Sequence, residues 1–471
     1  MDDADRDLMR TIGTYLKHVN DVVGRETAGT LTPLGERVGD HLGVDPTGVP
    51  VVQEVIADHR LVDADLVLDE LQTRHGGELL GVRGGDYRLH ADTPELLSNP
   101  HTRFAPGPVD YTERPTGPDT SRQVVSLGIR LLSFDGMPLA VVQRAANERA
   151  GRENASVDVL TAEPGAAAAF LARLREEMVA VSVLRGKVIA FASPEIGMMP
   201  RATFLRRPEV AASDVVLPDG VLDEIVGHVL GIGAHRQLLL DLGQHLKRGV
   251  LLYGAPGTGK TLTVRHLIGR ATGSTVVVLR GASLGFVQHA AAIARTFQPS
   301  IVVLEDIDLV AMERDYSPQP LLFEVLDALD GLDGDADVAF VMTTNRVDVL
   351  ERALAERPGR VDLGVEIPLP GPVERERLFQ LYARGLGFSP AAIRGAAERT
   401  ASTTGSFAKE VVRSSVVIAA ERGETPQDAH LAAALDELLA AGRRLTRRML
   451  GGEPVEPADA AGADDDELGP G

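Results

Sequence analysis

The 471-residue chain contains no cysteine and no tryptophan, and aromatic residues make up only 4% of it. Without cysteine there is no disulfide, no thiolate nucleophile and no cysteine-based zinc site. Lysine is scarce: of 48 lysines and arginines together, lysine occurs only at positions 17, 187, 247, 260 and 409. In a chain that defaults to arginine, a lysine at a chemically demanding position is informative. The same bias, with heavy use of alanine, glycine and valine, suggests a GC-rich bacterial coding sequence. No H-E-x-x-H occurs, which excludes an active zinc protease of that type. No window approaches the ~18 consecutive apolar residues of a membrane helix. The start, MDDADRDLMR, is acidic rather than the basic end of a signal peptide, so a cytoplasmic protein is expected. Excess positive charge is absent as well: the net charge of -20 disfavours a nucleic-acid partner, whose affinity would rest on lysine and arginine.

What is present is the composition of a soluble globular protein, 44% hydrophobic and 25% charged, long enough for two or three domains. Residues 1–103 are expected to be mainly helical. Leu8, Ile12, Tyr15, Leu16, Val19 and Val23 share one face at helical spacing, and ADLVLDELQTRHGG is a second helical pattern stopped by Gly76 and Gly77. His18, His41, His59, His75 and His90 lack ligand spacing and read as surface or packing residues. Residues 104–120, FAPGPVDYTERPTGPDT, read as a Pro/Gly-rich linker. Residues 121–212 predict a small α+β domain. In it VVSLGIRLL and PLAVVQ form a hairpin about SFDGM, SVDVL a strand, EPGAAAAFLARLREEM a helix, and VAVSVL with KVIAFAS a second hairpin about Arg185-Gly186.

From 213 to 372 strands and helices alternate, the pattern of a parallel α/β sheet, with strands at GVLLYG, TVVVLRG, SIVVLED, VAFVMTTN and LGVEIPL. Residues 373–445 are helical only, and 446–471 form an acidic tail expected to be disordered. GAPGTGKT, Gly254 to Thr261, fits G-x-x-x-x-G-K-[ST] between a strand and a helix, the context that confirms a phosphate loop. Its glycines permit a tight loop with inward-facing N–H groups, Lys260 supplies a compact charge for phosphate, and Thr261 offers a hydroxyl to Mg²⁺. The phosphate-contacting set is Gly254, Ala255, Pro256, Gly257, Thr258, Gly259, Lys260, Thr261 and Leu262.

IVVLEDIDLV, Ile301 to Val310, is an apolar strand ending on Glu305 and Asp306. Beside a phosphate loop, one such carboxylate serves a Mg²⁺ shell and its neighbour polarises the attacking water. Glu305 is assigned to the metal and Asp306 to the water, on a strand expected to lie beside the phosphate loop. A solvated strand end is the alternative. Asn345, ending VAFVMTTN, could orient that water or simply form a turn. ERPGRVD carries Arg357 and Arg360, which on their own read as a solvated surface turn.

LKRGVLLYGAPGTGKT, VVLEDID, FVMTTN and ALAERPGRVDLGVEIPLP, in this order, resemble the AAA family of ATPases over roughly Leu217 to Arg444. The Glu-Asp order departs from the usual Asp-Glu and is similar to a minority of members, including the mitochondrial Bcs type. The resemblance implies ATP and Mg²⁺ as cofactors, a helical lid, and a homo-oligomeric, usually hexameric, ring. It implies Asn345 as first sensor and Arg357 and Arg360 as finger arginines reaching a neighbour's ATP. EIVGHV resembles the adenine-flanking entry motif, so Val226 and Gly227 are candidates for the base; an amphipathic helix turn is the alternative. GSFAKEV resembles the lid stretch over the nucleotide, placing Ala408 there, with Lys409 either a cationic second sensor or solvated. The stretch GASLGFVQH is shorter than the family's pore loop, and Phe286 either grips a polypeptide or packs at a helix start. The expectation is an ATPase that remodels, disassembles or translocates a protein client chosen by its amino-terminal domains. The alternative is a nucleotide-switched scaffold with slow turnover; a DNA-remodelling ATPase comes third because of the charge.

Overall fold

The computed structural model of the chain describes residues 30–192, 201–308, 327–328, 334–346 and 361–440. The helix expected over Leu8–Val23, the acidic tail 446–471, and Arg357 and Arg360 lie outside them. The chain divides into two compact units, Met1–Arg206 and Arg207–Gly471. Among the described residues no helix is long and apolar enough to cross a membrane.

The first unit is built on an antiparallel sheet of β1 (Val51–Ile56), β2 (Gly77–Arg83), β3 (Ala105–Gly107), β4 (Asp110–Pro115), β5 (Ser121–Phe134), β6 (Met137–Arg144) and β7 (Ala155–Leu160); β8 (Val188–Ala192) and β9 (Arg201–Leu205) pair antiparallel with each other. The sheet runs β1-β7-β6-β5-β2-β3, with β4 also on β5. Side chains alternate across a strand, and both faces are covered. Val141 and Val159 pack under the helices Leu61–His75 and Ala166–Ala180. Their neighbours Val142 and Leu160 pack with Leu34, Val38 and Leu42 of the helix Pro33–Leu42. This explains why PLAVVQ is apolar without alternation. The β5–β6 turn places Asp135 at φ 51° and Gly136 at φ 80°, the paired positive φ of a two-residue hairpin loop that Asp-Gly favours.

Three expectations differ here. The supposed linker 104–120 contains β3, which pairs with β2, and β4, which pairs with β5; proline survives there because these are short pieces at the sheet margin. The regions before and after it supply strands to one sheet, since β1 pairs with β7 and β2 with β5. VAVSVL forms no hairpin strand. Its first two residues finish the helix Ala166–Ala180, and the next are captured by the buried carboxylate of Asp63, which accepts from Ser182 Oγ at 2.7 Å and Val183 N at 3.0 Å. Burial raises the Asp63 carboxyl above its ordinary range, against the pull of these donors and Arg60.

The second unit contributes β10 (Arg248–Tyr253), β11 (Thr275–Arg280), β12 (Ser300–Glu305), β13 (Val338–Thr344) and β14 (Leu363–Glu366), all parallel, in the order β14-β10-β13-β12-β11. All five match expected strands, and the α/β class expected from their spacing is the one observed. β13 is inserted between β10 and β12. The consequence is that Asn345, just past β13, stands between the loop after β10 and the acids after β12. The helices Pro372–Tyr382, Pro390–Arg399, Gly405–Glu421 and Asp428–Leu439 share a core of Phe379, Phe407, Val411 and Leu435.

Arg248, at the first position of β10, is nearly fully buried. It donates from Nη1 to Asp337 Oδ1 at 2.8 Å and from Nε to Val229 O at 2.8 Å. Arg248→Met strands a buried carboxylate, and urea unfolding of the full chain is expected to show the transition of this unit weakened by about 3–5 kcal/mol. A loss below about 1 kcal/mol would mean the pair stabilises no more than an exposed one.

Candidate functional site

The loop after β10 turns on three glycines at positive φ, Gly254 at 145°, Gly257 at 81° and Gly259 at 119°, and then enters the helix Lys260–Arg270. A Cβ on Gly254 would lie 2.3 Å from Ile367 O, so only glycine lets the loop pass this close to the chain after β14. Lys260 is 5% exposed, and its Nζ donates to Gly254 O at 2.8 Å and Ala255 O at 2.9 Å. Burial pushes the ammonium below its ordinary pKa, opposed by the charges of Asp306 and Asp308. The loop therefore carries a cation that is only partly satisfied by neutral carbonyls, at a helix N-terminus that itself favours anions.

At the end of β12 the two carboxylates diverge. Glu305 is raised above its ordinary pKa by burial, against the pull of Arg280, whose Nε lies 4.0 Å from Glu305 Oε2. Asp306 takes a left-handed backbone, φ 52°, and its Oδ1 accepts from Asn345 Nδ2 at 3.3 Å. Asp308, next but one, is buried.

A cavity of about 460 Å³ collects these groups. Of the residues expected from sequence, Pro256, Gly257, Thr258, Gly259, Lys260, Thr261, Leu262, Asp306 and Asn345 line it. Gly254 and Ala255 are not in the lining; their carbonyls hold Lys260 from behind. Glu305 is not in the lining either. Val226 and Gly227 also stand outside it, in helical turns that bury Ile225 and Val229. Ala408 is packed in the core of the helical bundle, whereas Ser406 and Lys409 of the same helix reach the cavity. The helix Gly405–Glu421 is tied to the phosphate loop by Ser406 N donating to Gly257 O at 3.2 Å. Phe286 is half-buried and edge-on to His289, ring centroids 6.2 Å apart, with Val287 buried beside it.

Sequence reasoning missed part of the lining: Asp214 to Leu217, Arg265, Leu378 and Tyr382. The signal available was the short apolar run Val215–Val216–Leu217 ahead of the first helix of this unit. What puts it there is upstream. Arg207 donates to Ile268, Ala271 and Ser274 carbonyls at 2.6–2.9 Å, capping the far end of the phosphate-loop helix. His266 Nδ1 meets Val210 O at 2.8 Å. The segment is thus pinned along that helix and delivered to the cavity mouth. Tyr382 and Leu378 supply a partly apolar wall opposite, and burial raises the Tyr382 hydroxyl pKa.

The hydroxyl oxygen of Thr261, which lines the cavity, is a hard donor of the kind that suits Mg²⁺, which takes one or two protein ligands and completes its shell with phosphate and water.

The fold and site define a phosphate-loop α/β domain with a helical lid. Residues 250–369 match the family described as ATPase family associated with various cellular activities (AAA), so the chain carries an AAA domain. It is 33% identical over 194 residues to the 26S protease regulatory subunit 6A of Caenorhabditis elegans, covering 38% of this chain and 45% of that protein. It is 33% identical over 193 residues to the 26S proteasome regulatory subunit 4 homolog of Oryza sativa subsp. japonica, covering 38% and 43%. Over 164 residues it is 35% identical to the 26S proteasome regulatory subunit 4 homolog B of Arabidopsis thaliana, covering 31% and 37%. The chain thus matches less than half the length of each of these relatives.

The close approach at Gly254 makes a direct test of the loop. Gly254→Ala is expected to displace it and weaken binding of a fluorescent ATP analogue by at least about tenfold, some 1.4 kcal/mol. Gly231→Ala, where an added Cβ meets nothing within 4 Å, is the control and should bind normally.

Proposed function

We propose that this protein hydrolyses ATP at the cavity formed by the phosphate loop, the β12 and β13 ends and the lid, and that a homo-oligomeric, hexameric ring couples this to remodelling of a protein client selected by the first unit. The observation that carries the proposal is the convergence of Lys260, Thr261, Asp306 and Asn345 on one cavity. In this reading Lys260 and the loop N–H groups hold the phosphates, and Asp306 accepts the proton of the attacking water while Asn345 keeps that carboxylate and the water oriented. Bound Mg²⁺ neutralises phosphate charge; Thr261 is proposed as its protein ligand, joined by Glu305 when that side chain leaves Arg280. Arg357 and Arg360, outside the described residues, are proposed to reach the neighbouring subunit's ATP. The named regulatory subunits among the relatives support a client-remodelling role over other uses of ATP.

A slow nucleotide-switched scaffold is the second reading, favoured by one observation: Glu305, expected in the metal shell, lies outside the cavity lining beside Arg280. Turnover per subunit separates the two.

Lys260→Ala is expected to abolish ATP binding. Asp306→Asn should bind ATP as tightly as the parent while turnover falls by about 10²–10⁴-fold, the usual worth of a positioned base. Normal turnover by the asparagine variant would remove Asp306 from its role, and normal binding by the alanine variant would remove the phosphate site itself.

A further inference from the structure

Asp306 and Asn345 both lie beyond the ladder that should hold them. The β12–β13 pairing ends at Leu304 opposite Met342, while β11 holds β12 through Glu305 and β10 holds β13 through Thr344, so Asp306 and Asn345 are the first residues past the paired strands. Beyond the β12–β13 ladder the two strand ends are joined by further hydrogen bonds, two of them on Asp308. A single oxygen, Asp308 Oδ1, accepts from Thr344 Oγ1 at 2.9 Å and from Asn345 N at 3.1 Å. Thr344 Oγ1 in turn accepts from Arg346 N at 2.9 Å. On the other side of the same junction, Thr343 Oγ1 accepts from Asp306 N at 2.9 Å, and Ile307 N donates to Thr343 O at 3.1 Å. Asn345 Nδ2 then closes the circuit on Asp306 Oδ1. Asp308 is 5% exposed and does not line the cavity.

We propose that Asp308 is a positioning residue of this site: by gripping the main chain of Asn345 and the hydroxyl of Thr344 through one oxygen, it sets the Asn345 amide against the Asp306 carboxylate. The reasoning is geometric. A buried acceptor shared by a backbone N–H and a hydroxyl is directional and resists displacement, and about 1 Å of misplacement at a reacting group can cost ~100-fold in rate. The proposal rests on the ATPase reading above. It competes with a simpler role for the same carboxylate, in which its negative charge merely supports the Lys260 ammonium.

The two roles part on substitution. Asparagine at 308 keeps an oxygen where both bonds land but removes the charge; alanine removes both. Wild-type steady-state ATP hydrolysis and nucleotide affinity come first, because absence of either overturns the ATPase reading and not merely this proposal. Given an active wild type, Asp308→Ala is expected to lower kcat by about 100-fold with KM for ATP within about twofold, and Asp308→Asn to retain kcat within about threefold, the fold-change that geometry alone predicts. Thr344→Val removes one of the two bonds without emptying the buried site, and should lower kcat about tenfold at unchanged KM. It decides the matter if the alanine variant does not fold. The proposal is overturned if Asp308→Asn loses as much kcat as Asp308→Ala or raises KM, which would assign the charge role, or if Thr344→Val leaves kcat unchanged.

Discussion

Everything in the second unit depends on a cation held where it cannot be fully solvated. Lys260 is buried at the start of the helix that follows the loop after β10, where it donates to two neutral carbonyls and two carboxylates favour its charge. A neutral carbonyl offsets only part of the cost of desolvating an ammonium. The site is therefore poised for an anion that brings more charge than the loop itself can provide. The glycines matter for the same reason. They let the backbone turn its N–H groups inward and approach Ile367 closely enough that no side chain fits at 254.

Strand order then decides which chemistry meets that cation. In open parallel sheets, ligands bind beyond the carboxyl ends of the strands, where successive connections leave in opposite directions. Here the chain leaves β10 for β11 on the far side, works back through β12 and β13, and crosses to β14 on the other flank. The insertion of β13 brings Asn345 between loop and acids, and the lid helix Gly405–Glu421 closes from above through Ser406. Three sequence-distant stretches thus converge because of topology.

The legible and illegible parts of the chain divide along physical lines. Buried parallel strands are continuous apolar runs, so all five strands of the second unit could be read directly, and a phosphate loop is legible because its residue types are dictated by backbone geometry. The cavity wall at Asp214–Leu217 leaves only a short apolar run as its local signal, since it is placed by Arg207, which caps a helix some fifty residues on, and by the Val210 carbonyl meeting His266 of that helix. Val226 and Gly227 drew attention by resemblance, yet Ile225 and Val229 show the ordinary i, i+4 spacing of a packed helix. In the first unit the Pro/Gly stretch 104–120 looked like a linker because its β3 and β4 are short marginal strands, which tolerate proline. Capture of Val183 by the Asp63 carboxylate leaves no local trace in sequence at all, being a contact across 120 positions.

The unusual Glu-Asp order acquires a backbone explanation. Aspartate in place of glutamate shortens the arm at 306 by one C–C bond, ~1.5 Å, enough to matter for the proton acceptor proposed there. Asp306 does not continue the strand, however; it sits at φ 52°. That conformation costs an ordinary residue ~1–2 kcal/mol and is visited most readily by glycine, asparagine and aspartate, whose short polar side chains bond locally. Glutamate lacks that local option. The bonds from Asp306 N to Thr343 and from Asn345 to Asp306 Oδ1 supply the compensation that holds the left-handed turn. The same turn carries residue 306 into the cavity while Glu305, still on the strand, is left beside Arg280. A strained backbone that redirects one side chain is what the shorter acid requires, and the hydrogen bonds from the neighbouring strand end are what make that backbone tenable.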